Sequence, residues 1–405
     1  MLKQTFYLLR KNPFITVISV AGTAVAIMMI MVILMVEMIK TIPIAPENNR
    51  DKTLYIRSEM YKNKSSTNCG LVSYKHYNDY LRYLENAKLK TLLTKGQEII
   101  KTSSGSKRME CTCSYCDDNY WKFISFDFVE GTHFNREDFA AGLNKAVISQ
   151  KLSEELYGKK SAVGKTFILN NKKYSVVGIV ENISPIFPYA YSDIWIPYTS
   201  SFNYEKMGYS LLLLMDSKKD KALLTQEVRE IEQKFTTIHE GELLTYLGPY
   251  SQREQVHNKW NNSPTKITME TIKLSVILFF LFLIPALNLS GFNLSRIKKR
   301  TEEIGIRKAF GATKRSIIRQ MLQENLITTL IGGVLGLLLS YIALYFLRNH
   351  LFIGLPADAV IPLNAIVSPY IFLVVFLACI LLSVISTIVP ALRAAKFTIA
   401  ESIRS

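Results

Sequence analysis

Residues Ala146–Val180 read "AVISQKLSEELYGKKSAVGKTFILNNKKYSVVGIV", and the Gly-Lys-Thr at 164–166 sets two folds against each other. A phosphate-binding P-loop needs G-x-x-x-x-G-K-[ST] running into a helix N-terminus, so that backbone N–H groups wrap the phosphates. Here Gly158 stands one residue too far from Gly164. The flanks are also reversed. "SEELYG" reads as the end of a short helix capped by Gly158. "FILNNKKYSVVGIV" reads as two strands around Asn170-Asn171, because Asn tolerates the positive φ of a hairpin turn. The segment is therefore strand, short helix and hairpin, with no nucleotide site.

Outward from this unit, residues 51–216 alternate short strands and short helices, an α+β pattern. "TLYIRS" (53–58) alternates like a half-buried strand, and "DIWIP" (193–197) reads as another. "YSLLLLM" (209–215) is continuously apolar, as a central strand is. Tyr77, Leu81 and Leu84 share one face of a helix over 73–86 opened by Ser73. A long helix is expected near 219–237, and a polar helical tail over 251–267. The histidines are scattered, and no Ser-His-Asp, Cys-His or paired-carboxylate arrangement is present, so the residues point away from an enzyme.

Four stretches offer the roughly 20 apolar residues that span a bilayer. They are Phe14–Val36, Leu274–Ser295, Asn325–Leu347 and the part of 359–392 centred on Ile371–Val389. The first has no cleavage signature after it and reads as a retained anchor. Basic residues set the orientation. Lys3, Arg10 and Lys11 precede the first span; a dense group from Arg296 to Arg319 separates the second and third; Arg393, Lys396 and Arg404 follow the fourth. These segments hold most of the formal +16. Both termini then lie in the cytoplasm, with residues 41–270 outside. The positive charge reports topology and anionic lipid headgroups, and no nucleic-acid partner is expected.

The expected fold class is thus an α-helical membrane protein with four transmembrane helices and a large α+β extracytoplasmic domain between the first and second. The domains are 1–40, a cytoplasmic N-terminus and first span; 41–270, the outside domain; and 271–405, three spans and a cytoplasmic helix. Cys69, Cys111, Cys113 and Cys116 fall outside, where disulfides are permitted and free thiols remain the alternative. A metal site in "CTCSYC" lacks a nearby histidine and a second C-x-x-C.

Residues 301–311 carry the most specific cytoplasmic signal. Thr301 can cap a helix whose first turn holds Glu302 and Glu303, favourable at the positive end of the dipole. Ile304 follows them. Arg307 and Lys308 sit towards the negative end, and Gly311 fits the C-terminal cap. Ile306, Ala309 and Phe310 form a short apolar stripe. Two readings follow: a helix lying on the lipid surface, or one that inserts into a partner. Thr313 is expected to open the next helix, and Gly332 with Gly336 is a small-xxx-small pair suited to close helix packing.

"FDFVEGTHFNREDF" (126–139), the 146–180 stretch and "DIWIPY" (193–198) resemble, in that order, the extracytoplasmic domain of MacB-type ABC-transporter permeases. Residues 302–340 and "PALRAAKFTIAESIRS" (390–405) resemble the FtsX-like permease domain. The resemblance implies a bacterial cytoplasmic-membrane permease without ATPase activity, a homodimer or a pair with a related permease. It implies a cytoplasmic ABC ATPase dimer docked on the 302–311 helix, with ATP and magnesium on that partner and no cofactor on this chain. It also implies motion transmitted to the outside domain, a peptide, antibiotic or lipoprotein substrate, and a membrane-fusion or outer-membrane partner. The alternative is a membrane-anchored sensor or scaffold without powered transport.

Overall fold

The computed structural model describes residues 13–102, 108–158, 160–257, 269, 271–283, 306, 309–351 and 369–396. The chain divides into two compact units, one built on Ile39–Ile267 and the other on the segments that flank it.

The Ile39–Ile267 unit is an α+β domain around an eleven-stranded sheet. Its main path runs Tyr250–Ser251, Thr53–Ile56, Gly208–Leu214, Leu89–Thr102, Arg108–Cys116, Ile194–Pro197, Lys145–Ser149, Lys172–Val180 and Phe128–Gly131. The apolar run Gly208–Leu214 lies between two antiparallel neighbours, with Leu211 to Leu213 buried. That explains its lack of alternation: both faces are covered.

The Ala146–Val180 segment folds as its turn chemistry dictates. Ser149 caps the helix Gln150–Tyr157 by accepting from Leu152 N at 3.2 Å. Gly158 ends it in the left-handed region at φ +71°. Strands Thr166–Leu169 and Lys172–Val180 pair antiparallel. Asn170 and Asn171 take φ +47° and +62° between them, both positive as a two-residue type I′ turn requires. Lys145–Ser149 runs parallel to Lys172–Val180.

Two expectations need correction. Residues 53–58 do not form one half-buried strand. Thr53–Ile56 is buried throughout in the main sheet, and Ser58–Lys62 belongs to a separate three-stranded sheet with Thr67–Gly70 and Leu243–Leu247. The helix over 73–86 is shorter. Ser73 does cap it, accepting from His76 N, but Tyr80 at φ −129° leaves helical geometry after Asp79 and a 3-10 turn follows. Leu81 and Leu84 still reach the core. The helix Asp220–Ile238 stands where expected and buries Leu224, Val228 and Phe235.

The second unit contains the helices Pro13–Thr41, Lys314–Leu351 and Pro369–Lys396. Two apolar helical stretches are long enough to cross a membrane, Thr16–Thr41 and Lys314–Leu347; Thr271–Leu283 and Phe372–Leu381 are apolar but shorter. Four complete spans are thus not seen among the described residues: 284–305, within and beyond the second expected span, lie outside them.

Candidate functional site

Lys314–Leu351 is opened as the sequence indicates: Thr313 Oγ1 accepts from Ser316 N at 3.3 Å, and Thr313 O accepts from Ile317 N. Ile317 is buried on one side of it. Further along, an alanine Cβ at Gly336 would stand 2.7 Å from Ala24 O and 2.9 Å from Ile27 Cβ. One at Gly332 would stand 3.0 Å from Thr23 Cβ. The small pair is therefore an intrachain contact, letting this helix approach the backbone of Pro13–Thr41. Asn325 Nδ2 donates to Thr387 Oγ1, and Thr328 Oγ1 to Glu324 O. These polar side chains thus find partners among apolar helices, one on a side chain and one on a backbone carbonyl, as a medium without water demands.

Just before Thr313 stand the described residues of the candidate docking segment, 306 and 309–311. Phe310 N donates to Ile306 O at 3.0 Å, an α-helical turn. Gly311 follows at φ +88°, the left-handed cap position. Phe310 is 88% exposed and Ile306 54%. Two large apolar side chains one turn apart thus present bare surface within this chain. Glu302, Glu303, Ile304, Arg307 and Lys308 lie outside the described residues.

For the four outer-domain cysteines the sequence left disulfides and free thiols open. All four are free thiols in the structure. Cys111, Cys113 and Cys116 are buried along strand Arg108–Cys116, while Cys69 is exposed in the three-stranded sheet. Two rises of roughly 3.3 Å each separate Cys111 from Cys113, near the upper limit of a disulfide's Cα spacing, with parallel Cβ directions. Burial pushes the Cys111 thiol up to about 12 and raises Cys113 and Cys116 well above the ordinary range. Such thiols pack as small hydrophobes. Among the described residues no group of His, Cys, Asp and Glu could hold a metal ion. Lys165 of the Gly-Lys-Thr lies with its Nζ 4.9 Å from the Tyr157 ring centroid, a cation–π contact within the fold.

Two features of the outer domain were not anticipated. Glu47 and Arg50 form a buried ion pair at 2.7 Å. Glu47 Oε1 also accepts from Tyr189 N and Ala190 N, both at 2.9 Å. Arg50 Nη1 donates to Ile39 O at 2.7 Å and its guanidinium lies over Phe187. The second feature is a cavity bounded by Arg57 and Lys95. The only sequence trace of the first is an i,i+3 charge pair; the second leaves none.

A family model described as the MacB-like periplasmic core domain matches residues 14–231. A second, the FtsX-like permease C-terminal domain, matches 275–399. The chain belongs to the MacB/FtsX family of ABC-transporter permeases. The family is one of bacterial inner-membrane permeases with a large extracytoplasmic domain. This MacB/FtsX permease is 25% identical over 264 residues to an uncharacterized ABC transporter permease, YknZ, of Bacillus subtilis, covering 62% of each chain. It is 28% identical over 224 residues to the macrolide export ATP-binding/permease protein MacB of Pasteurella multocida, covering 55% of this chain but 33% of that one. The match thus spans less than two thirds of either relative's length. The crystal structure of the extracellular domain of YknZ, a noncanonic ABC-type transporter from Gram-positive bacteria, aligns with a TM-score of 0.37 at 15% identity, covering 47% of this permease and 99% of that chain.

Proposed function

We propose that this permease is the transmembrane subunit of an ATP-driven complex and that a separate cytoplasmic ABC ATPase powers it. The observation that carries the reading is the exposed pair Ile306 and Phe310 on a helical turn ended by Gly311. Large apolar side chains on a short capped turn suit insertion into a protein groove, where apolar anchors dominate binding. The ATPase dimer docks on residues 302–311 of two permease copies, or of this chain and a related permease, and carries the ATP and magnesium. Four spans, both termini in the cytoplasm and residues 41–270 outside give the topology. Closure of the ATPase pair moves the spans, and the movement reaches the outer domain.

The work is done on a peptide, antibiotic or lipoprotein outside the membrane. The macrolide export in the Pasteurella relative's name fits the antibiotic class. The test is purification of the tagged chain from its native membrane. Recovery of an ABC ATPase in equal proportion supports the reading. Its absence from a folded, membrane-inserted preparation favours the sensor or scaffold alternative.

A further inference from the structure

The far end of strand Leu89–Thr102 lies between Arg108–Cys116 on one side and Thr166–Leu169 on the other, and Lys172–Val180 follows. All three pairings are antiparallel, so residues directly opposite one another point to the same face of the sheet. One row across the four strands reads Arg108, Lys101, Ile168 and Lys173, each opposite the next. The neighbouring positions Ile100, Phe167, Leu169 and Tyr174 point the other way and are buried in the core. Arg108 and Lys173 are exposed and Lys101 is half-buried, so the row's own face is open to water. At a strand spacing of about 4.8 Å the row is roughly 14 Å long.

Three features separate this row from an ordinary solvated face. First, Lys101 stands directly opposite Arg108, and like charges in that position destabilise a strand pair. Lys101 also has a strand on each side, so its charge does not guard a sheet edge. Second, among the described residues no carboxylate lies within ion-pair distance of Arg108, Lys101 or Lys173. Glu98 is on the opposite face, where it accepts from Tyr115 OH at 2.6 Å and Asn170 Nδ2 at 3.0 Å. Glu110 lies in the next row, opposite Ile99, and pairs with none of the three. Third, the cations are interleaved with apolar side chains. Ile99, two residues before Lys101, is 54% exposed, and half-buried Ile168 stands between Lys101 and Lys173. A phosphate polymer offers nothing to these isoleucines, whereas a protein segment can.

We propose that this sheet face docks an acidic segment of a partner protein, extended along the row. One carboxylate meets Arg108 and Lys101, a second meets Lys173, and an apolar side chain midway between them covers Ile168. In an extended chain, residues i, i+2 and i+4 share a face and span about 13 Å, which matches the row. The recognised pattern is therefore acidic, apolar, acidic at alternate positions. Docking is a property of the outer domain and holds whether or not an ATPase drives the chain.

The experiment is fluorescence anisotropy with the full chain in phosphatidylcholine nanodiscs, empty nanodiscs subtracted, at about 50 mM salt to limit screening. The probe is fluorescein-labelled Gly-Ser-Glu-Ser-Leu-Ser-Glu-Ser-Gly. Saturable binding is expected. Replacing both glutamates of the probe by glutamine should weaken it at least about tenfold, and moving its leucine by one position, onto the other face, several-fold. Lys101→Gln and Lys173→Gln should each weaken binding by about two- to fivefold, the scale of an exposed ion pair, and the two with Arg108→Gln should remove it. Lys88→Gln, on a lysine already paired with Asp216, should change nothing. The unfolding midpoint of Lys101→Gln should be unchanged or raised, since a like-charge pair is relieved. Absence of saturable binding, equal binding of the shifted-leucine probe, or unchanged affinity in the folded triple variant overturns the assignment. So does inorganic polyphosphate of equal charge binding as tightly as the probe, which would mark a site for phosphate polymers. If the variants fail to fold, the comparison of probes on the unaltered protein decides.

Discussion

Arg50 and Glu47 face each other at 2.7 Å with their side chains 1% and 3% exposed. The pair joins pieces of chain far apart in sequence. Arg50 reaches the carbonyl of Ile39 at the end of the first helix, and Glu47 takes the backbone N–H groups of Tyr189 and Ala190. Removing one partner of a buried pair costs about 3–5 kcal/mol, because the other charge is left uncompensated. Arg50→Ala should therefore lower the thermal unfolding midpoint of the outer domain sharply. Arg50→Met with Glu47→Leu should recover part of the loss, since an apolar pair leaves no orphan charge. A double variant no better than the single one would show that the two side chains' contacts to the backbone, and not the ion pair, carry the effect.

Gly336→Ala reverses an ordinary expectation. Alanine in a helix interior is normally favoured over glycine by about 1 kcal/mol. Here its Cβ would lie 2.7 Å from Ala24 O and 2.9 Å from Ile27 Cβ. Overpacking of this kind costs about 1–3 kcal/mol. Denaturant titration of the detergent-solubilised chain should show net destabilisation, and a gain in stability would refute the close packing.

Asp117 predicts a pH response. Burial raises its carboxyl to about 7, against the hydrogen bonds from Thr91 Oγ1, Leu92 N and Tyr120 N, which favour the anion. From its ordinary value of 3.8 up to about 7, the folded domain holds a proton that the unfolded chain has released. Its contribution to stability is therefore present at the acid end and is lost as pH rises through that window. Asp193, also raised by burial, acts in the same sense. Thermal midpoints measured across this range for the parent and Asp117→Asn should differ in slope, with the variant flatter. Parallel profiles would count against the buried protonated carboxyl.

Much of this fold was legible where the chemistry is local. Asn170-Asn171, Gly158, Ser73 and Thr313 act within four residues of themselves, so their turns and caps read directly from sequence. The strand Arg108–Cys116 did not. Its cysteines drew attention as reactive groups, yet they fill the core beside a strand, Leu89–Thr102, whose mixed polar and apolar positions hide its length. Glu47 and Arg50 were invisible for another reason. Their partners, Ile186, Tyr189 and Ala190, lie more than a hundred positions away. For the docking segment, the sequence supplied the stripe Ile306, Ala309 and Phe310, and only the structure supplied its exposure. Lys95 and Arg57 line one cavity through sheet topology, which no spacing encodes.

Lys165 separates the two readings of the Gly-Lys-Thr. Lys165→Ala removes a cation–π contact to Tyr157 worth about 0.5–1 kcal/mol at an exposed site. It should soften the outer domain slightly and leave ATP turnover of the assembled complex unchanged. Collapse of turnover with the fold and the ATPase docking intact would restore a nucleotide role for the motif.

The most direct test of the account is ATP hydrolysis and ATPase retention by the reconstituted complex carrying Phe310→Ala. Burying a side chain of this size is worth about 1.5–3 kcal/mol, and Phe310 is 88% exposed in the free chain. The account predicts that ATPase association weakens by about tenfold or more, or that hydrolysis continues uncoupled from the outer domain. Glu303→Ala should do less, and a substitution in the outer-domain segment 251–257 should leave docking unchanged. Full ATPase retention with fully coupled hydrolysis in the Phe310→Ala complex would contradict the account and leave this helix as a lipid-surface element.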